Sequence, residues 1–516
     1  MAVLIVSDDP VHRRDRSLAL TTEVVSGTVE RLQVSDSKGV LAMLTTGART
    51  VLMRGPTRTF REDKRPFVDE FDRTTSNGWG MSPGGGVWSN SNGVDANYSV
   101  SSGRGVINMT AANASRHTSV VNNLADTNAR LSFSLSVAPV GNASSLALTL
   151  AYTSANDQYR ARLSILTSGN VQLVLEKEVA GSVTTLGTAT TVGTGYTLGD
   201  VWHIRAERAG STIRCRAWKD GTTEPGTWLH SVTDTSLGAG RVGVRGIASS
   251  GSTAIPFSFY IHDLAVSGTW PNPPTITHDQ WVRVLPEPYS GTWTPTLAQQ
   301  ITAWSDDTTP DVLAYATMYA TGAPAVTSAA LSGAQVMGQA QYGPLGADGV
   351  PEEGGDFHEY MGLDWTFPNG EYVPEADPKW IRKLDCSGFV RIVWGYGMGL
   401  PMVRYEDFDG LVLPRRTKDI GPHGPGVLVA ESVGAAPSLA EMQIGDIPLF
   451  DADTSDPVAG QIDHNGIYLG IDTEGHPRFI NSRKTPNGPT FGDLGGSSAL
   501  DGAGLYATSL RMIRRF

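Results

Sequence analysis

The chain has 516 residues, 40 basic and 52 acidic, for a net charge of −12. That length is too great for one core and implies about three domains, while the acidic balance, with no basic cluster longer than a pair such as Arg415 and Arg416, argues against nucleic acid as a partner. No window nears the roughly 18 apolar residues of a membrane span, the opening MAVLIVSDDPVHRRD places its apolar run before its charges, the reverse of a secretion signal, and two lone cysteines, Cys215 and Cys386, exclude a disulfide framework or a cysteine metal site.

Residues 1–65 read as a small β-rich segment, with strands in GTVERLQVSD and RTVLMRGPTRTF, and residues 270–295 return to that texture in PPTITHDQWVRVLPEPY. Two arrangements fit. Either the intervening chain is inserted into an N-terminal β domain whose last strand is 275–285, or two independent segments are joined by linkers.

Residues 66–268 are rich in Ser, Thr, Gly and Asn and break into short alternating runs. LSFSLSVAPV puts Leu131, Phe133, Leu135 and Val137 on one face, and YRARLSI does the same for Tyr159, Ala161, Leu163 and Ile165. Many short strands divided by turn residues predict a two-sheet, jelly-roll β-sandwich. Cys215 shares the alternation of Ile213 and Ala217 and reads as a small buried hydrophobe. Helical spacing then takes over: residues 296–324 read as a helical connector, and the pattern continues through SAALSGAQVMGQAQYG to Gly343, with the last domain taken as 325–516.

Chemistry concentrates in that last domain. In LDCSGFVRIVWGYG a loop gives way to apolar residues Phe389, Val390, Ile392 and Val393, so a helix starts at or near Cys386. A thiol there meets unpaired N–H groups and the positive end of the helix dipole, which favour the thiolate and can receive an oxyanion. Asp385 reads as the cap of that helix or as a contact for a substrate amine. A nucleophile needs a base, and QIDHNGIYLGI supplies a strand with His464 at its start. PRFINSRK should fold back beside it. If Thr473 and Glu474 form a two-residue loop, opposed residue numbers sum to 947, which sets His464 and Asn481 diagonally on one face; a slip of one residue would present Ser482 instead. Asn481 then holds the imidazole tautomer that accepts the proton of sulfur. The acidic run FDADTSD suggests calcium by composition but lacks the glycine and the final glutamate of an EF-hand, and reads as a solvated turn. No metal or cofactor is called for.

Two resemblances extend this reading. DEFDRTTSNGWGMSPGGGVW and CRAWKDGTTEPGTW resemble concanavalin-like, laminin-G-like sandwich modules in tail proteins of phages that infect actinobacteria. Such modules often bind glycans, and Trp79, Trp88 and Trp218 would either stack on sugar rings or serve as core. DCSGFV, LAEMQIGDIPLFD, DHNGIYLG and RFINSR, in that order, resemble the blocks of the NlpC/P60 cell-wall peptidases. This implies a papain-like α+β fold for 325–516 behind an all-β N-terminal part, with catalytic Cys386, His464 and Asn481, oxyanion donors at Cys386 and Ser387, and Tyr342 of MGQAQYGPLG lining the site. It implies cleavage of peptidoglycan stem peptides between D-glutamate and the diamino acid. The combination resembles minor tail proteins of actinobacterial siphophages: a virion component at the tail tip, with tail proteins and cell-surface glycans as partners and residues 1–65 with 270–295 as the attachment domain. A structural, glycan-binding tail protein with an inactive or docking-only hydrolase fold is the alternative. Two departures stand out: the long acidic, aromatic insert between Tyr342 and Cys386, read as a specificity wall or lid, and the loop-rich tail from SRKTPNGPTFGDLGG onward.

Overall fold

The structure is a computed structural model that describes residues 5–6, 19–62, 67–82, 86–269, 273–346, 350–374, 377–404, 410–453, 458 and 460–516. The chain forms two units, one of residues 63–272 with 345–351, the other of residues 1–62, 273–344 and 352–516.

The first unit is an antiparallel β-sandwich. Its larger sheet orders His230–Thr233, Thr212–Lys219, Trp202–Ala209, Asp126–Leu135, Phe257–Thr269, Gly105–Met109, Tyr98–Val100 and Thr75–Ser76, with Phe67–Asp69 also on Phe257–Thr269. The facing sheet orders Ser182–Gly193, Val171–Val179, Asp157–Ile165, Ser144–Ser154, Gly240–Ala248, Ala114–Leu124 and Ser89–Asn92. Alternation explains the core: Leu131, Phe133, Leu135, Tyr159, Ala161, Leu163 and Ile165 all turn inward, each large side chain contributing about 1.5–3 kcal/mol. Val137 lies past the end of its strand and is exposed. The tryptophans are not sugar platforms. Trp79 and Trp88 pack edge to face at 4.7 Å inside the core, and Trp218 is buried under the His203 ring, stacked at 5.0 Å.

The second unit begins with an N-terminal sheet ordered Ile5–Val6, Thr50–Arg61, Gly39–Thr45, Arg31–Asp36 and Thr21–Val25. Thr275–Val284 pairs with Thr50–Arg61, Ile276 opposite Phe60 and Val282 opposite Leu52, so residues 63–272 leave and re-enter at adjacent ends of two paired strands. One face of this sheet buries Val51, Met53 and Trp281 against Ile301; the other adds Phe60, Ile276 and Val282 to the core of the C-terminal part. Residues 296–324 therefore do not form a connector. Their first helix, Pro295–Trp304, belongs to the first core, and Val312–Thr317 belongs to the second. A buried Arg58–Asp311 pair at 2.6 Å, Glu62 accepting from the N–H of Phe491, and Thr50 N–H donating to the carbonyl of Phe516 tie the two parts together.

Residues 326–337 form a hairpin, Val326–Ser328 with Ala334–Met337, where helical spacing was expected. Gly333 and Ser332 take positive φ between the strands, a conformation no helix interior accepts. Beyond it lie the strands Val427–Glu431, Leu510–Arg515, Ile447–Phe450 and His464–Asn465, then Ile467–Ile471, Pro477–Arg483 and Gly488–Thr490, with a helix starting at Cys386 buried among them. The insert before Cys386 contributes side chains to the core: Phe357, Tyr360, Phe367 and Val373 are buried with that helix.

Candidate functional site

The helix Cys386–Val390 widens into a π-helical turn over Arg391–Gly397, and every residue from Cys386 to Gly395 is buried. The segment is buried on every side, its one charge, Arg391, paired with Asp356, and Gly388 is what lets it in: a Cβ there would sit 2.1 Å from the carbonyl oxygen of Gly355. Asp385 caps it, accepting from the N–H of Gly388 at 2.7 Å and from the Ser387 hydroxyl at 3.2 Å. Arg415 closes on the same carboxylate at 2.7 Å, bonds the Ser387 hydroxyl at 2.7 Å, and approaches Asp356, itself paired with Arg391. Asp385 and the Ser387 side chain are thus committed to holding the helix start, which leaves the Cys386 and Ser387 N–H groups as orphan donors of its first turn.

Cys386 is 3% exposed and borders a cleft of about 1030 Å³ whose walls include Tyr342, Ser387, Thr417, His464 and Tyr506. Its Sγ lies 3.4 Å from the Thr417 hydroxyl and donates to the Asp463 carbonyl at 3.6 Å; no hydrogen bond joins it to His464. Burial, with Asp385 and Glu353 nearby, pushes the thiol well above its ordinary pKa. Tyr342 is buried, and burial, with Cys386, Asp385 and Glu353 nearby, raises its phenol well above the ordinary value.

Phe450 pairs with His464, and Gly466 joins this short strand to Ile467–Ile471. The return strand sets Ile467 opposite Ile480 and Tyr468 opposite Phe479, the register expected near the site, although the turn is longer than two residues: Ile471 pairs with Pro477, and a bulge between Tyr468 and Gly470 absorbs the difference. Asn481 therefore faces His464. Its Oδ1 lies 3.0 Å from His464 Nε2, while its Nδ2 donates to the carbonyl of Thr490 and to Ser498 Oγ, both at 3.3 Å. The two acceptors orient the amide, so Nε2 carries the proton and donates, and Nδ1 is the basic nitrogen. Ser482 instead bonds the carbonyl of Leu384. Burial lowers the His464 pKa to about 4, against a smaller upward pull from Asn481. The resting pair is a neutral thiol and a neutral imidazole. Such a pair suits proton transfer during attack.

Sequence reading missed four contributors. Arg415, Thr417, Arg483 and Tyr506 lie far along the chain from Cys386 or in segments with no periodicity, and no spacing signal marks them. Among the described residues no cluster of His, Cys, Asp and Glu is placed to hold a metal; residues 454–456 of the acidic run lie outside the described residues.

No family model matches the chain, and no curated protein matches it. Among solved structures, the carbohydrate-binding module CBM66 from Bacillus subtilis is 12% identical, covering 36% of this chain and 94% of its own, with a TM-score of 0.24. The CBM2 module of the evolved Dit of Lactobacillus casei BL23 phage J-1 is 10% identical over 41% of this chain and 98% of its own, at 0.30. A Bacillus licheniformis beta-glucanase is 13% identical over 40% and 98%, at 0.29. These likenesses are too slight to assign a site or an activity.

Proposed function

We propose that the cleft unit is a cysteine-dependent hydrolase of peptide amide bonds. One observation carries the reading: Cys386, at the N-terminus of a buried helix, shares a cleft with His464, whose tautomer Asn481 sets. In the proposed reaction Sγ leaves Thr417 and Asp463 and attacks the carbonyl carbon as its proton passes to His464 Nδ1. The Cys386 and Ser387 N–H groups receive the oxyanion, with Tyr342 at the wall. Collapse expels the amine, which takes the proton from the imidazolium. Water, deprotonated by the same nitrogen, then hydrolyses the thioester, and Sγ regains its proton.

The ordered motifs resembling NlpC/P60 peptidases supply the substrate class: peptidoglycan stem peptides, cut by a papain-like domain carried at a phage tail tip and acting on the host wall. Mass spectrometry of muropeptides released from actinobacterial walls, wild type beside Cys386→Ala, tests this. Cleaved stems from the wild type alone support it and name the bond; none from either sinks it. The full chain is required, because Phe60, Ile276 and Val282 belong to the core under the site.

A second reading is a carbohydrate-binding tail component, favoured by the two-sheet sandwich that residues 63–272 form. Retention of Cys386→Ala on intact walls, lost after glycan-strand digestion but not after stem-peptide digestion, supports binding through sugar.

A further inference from the structure

The loop-rich tail after Arg483 is a sequence departure that the proposed reaction leaves unused, and it is folded onto the base. Arg483 gathers it: its guanidinium donates to the carbonyls of Thr485, Gly492, Leu494 and Gly496 at 2.7–2.9 Å and to Ser498 Oγ at 3.0 Å. Five acceptors from a 14-residue stretch, residues 485–498, converge on one cation. Ser498, held there, is also an acceptor that orients the Asn481 amide. A few residues on, the short helix Leu505–Ser509 lays the Tyr506 ring along the His464 imidazole, centroids 5.1 Å apart and planes 26° apart. Phe450 and Phe479 back Tyr506 at 5.1 and 5.2 Å, and the Arg483 guanidinium lies over its ring, 5.6 Å from the centroid. The ring can neither tilt nor retreat without disturbing that cluster.

We infer that Tyr506 is a positioning residue: its ring, delivered by the tail that Arg483 clamps, holds the His464 imidazole in the plane that keeps Nε2 on Asn481 and turns Nδ1 to the cleft. The inference rests on the proposed cysteine-hydrolase reading. A parallel ring removes one face of the imidazole from water, so it protects the Nε2–Asn481 bond and resists any rotation that would carry Nδ1 away from sulfur. The charged groups facing His464 are Arg483, which opposes its protonation, and Asp385, which favours it; Cys386 and Tyr506 are the neutral titratable neighbours. Tyr506→Phe removes the phenol and keeps the ring.

The test is NMR of histidine-labelled full-length protein, His464 assigned with His464→Gln, beside kinetics on stem peptide for Tyr506→Phe and Tyr506→Leu. In the wild type the His464 ring protons should carry an upfield ring-current shift, retained in Tyr506→Phe. Tyr506→Leu should lose the shift, raise the imidazole titration from about 4 toward 6.5, and lower kcat by about 10- to 100-fold with KM little changed. A Leu variant that keeps the titration and kcat of the wild type while losing only melting temperature overturns the inference, because Tyr506 is then packing alone. The wild-type shift stands without any variant, and its absence also overturns it. If neither the wild type nor Tyr506→Phe cleaves stem peptide, the hydrolase reading fails while the shift and titration still decide whether Tyr506 orients His464.

Discussion

Each unit buries one cysteine and at least one histidine, and the two settings differ in what they leave over. In the sandwich, Cys215 sits among Ile213, Ala217 and the rest of a wholly apolar core, its thiol pushed up to about 12 by burial alone. His117 is stacked on Tyr152 at 4.2 Å with both nitrogens taken, Nδ1 by Ser91 and Nε2 by Thr149. In the cleft unit, Cys386 keeps only long contacts to a hydroxyl and a carbonyl, and His464 has one nitrogen bound while its ring borders open space. All four side chains are buried. What distinguishes a site is unspent hydrogen-bonding capacity aimed into a cleft.

The sharpest break of this comparison is Cys386→Ala, expected to cost at least about 10³-fold in stem-peptide turnover, on the order of 4 kcal/mol, measured as muropeptide release. Next is the support of the helix start. Arg415→Met leaves Asp385 buried without its cation and should cost about 3–5 kcal/mol by denaturant unfolding of the cleft unit, with the sandwich transition unmoved.

The third is a pH effect common to both units. Burial lowers His464 and His278 to about 4 and His117 to about 3, all below the unfolded value of 6.5. Between pH 6.5 and 4 the unfolded chain binds protons that the folded imidazoles refuse, so stability is whole above pH 6.5 and falls as pH drops through that window, by about 3 kcal/mol for His464. Thermal unfolding against pH should show it. His117→Gln should flatten the sandwich's share without touching turnover, and His464→Gln should flatten the cleft unit's share and abolish turnover.

Smaller still, Asn481→Ala frees the imidazole to rotate and should lower kcat by about 10- to 100-fold with little change in KM. Smallest is Cys215→Ala, a core truncation worth about 1 kcal/mol in stability and nothing in turnover. A loss of activity there comparable to that of Cys386→Ala would collapse the distinction between the two cysteines.

Legibility in the sequence followed the range of the interactions. The strands of the sandwich were readable because period-two alternation is local, and Leu131, Phe133 and Tyr159 turn inward as their spacing requires. The helix at Cys386 was readable because an aspartate cap precedes a run of apolar residues. The pairing of His464 with Asn481 came from hairpin register, although the assumed turn was too short and a bulge restored the alignment. Residues 326–337 misled because alanine and serine at helical spacing outweighed Gly333, whose positive φ ends any helix. The tryptophans could not be assigned from sequence: side chains able to stack on sugar are equally able to fill a core.

Sequence by itself determined the local chemistry of this protein: a thiol at a helix N-terminus, an imidazole at the start of a strand, an amide on the strand that returns, and a long alternating stretch between two β-rich flanks. Only tertiary structure decided that those flanks are neighbouring strands of one sheet, that Phe60 and Ile276 share a core with the helix of Cys386, and that Arg415, Ser498 and Tyr506 support its cap, amide and imidazole. The physical reason is that capping and alternation act over a few residues, whereas ion pairing, ring stacking and core filling depend on distance in space and carry no fixed separation along the chain.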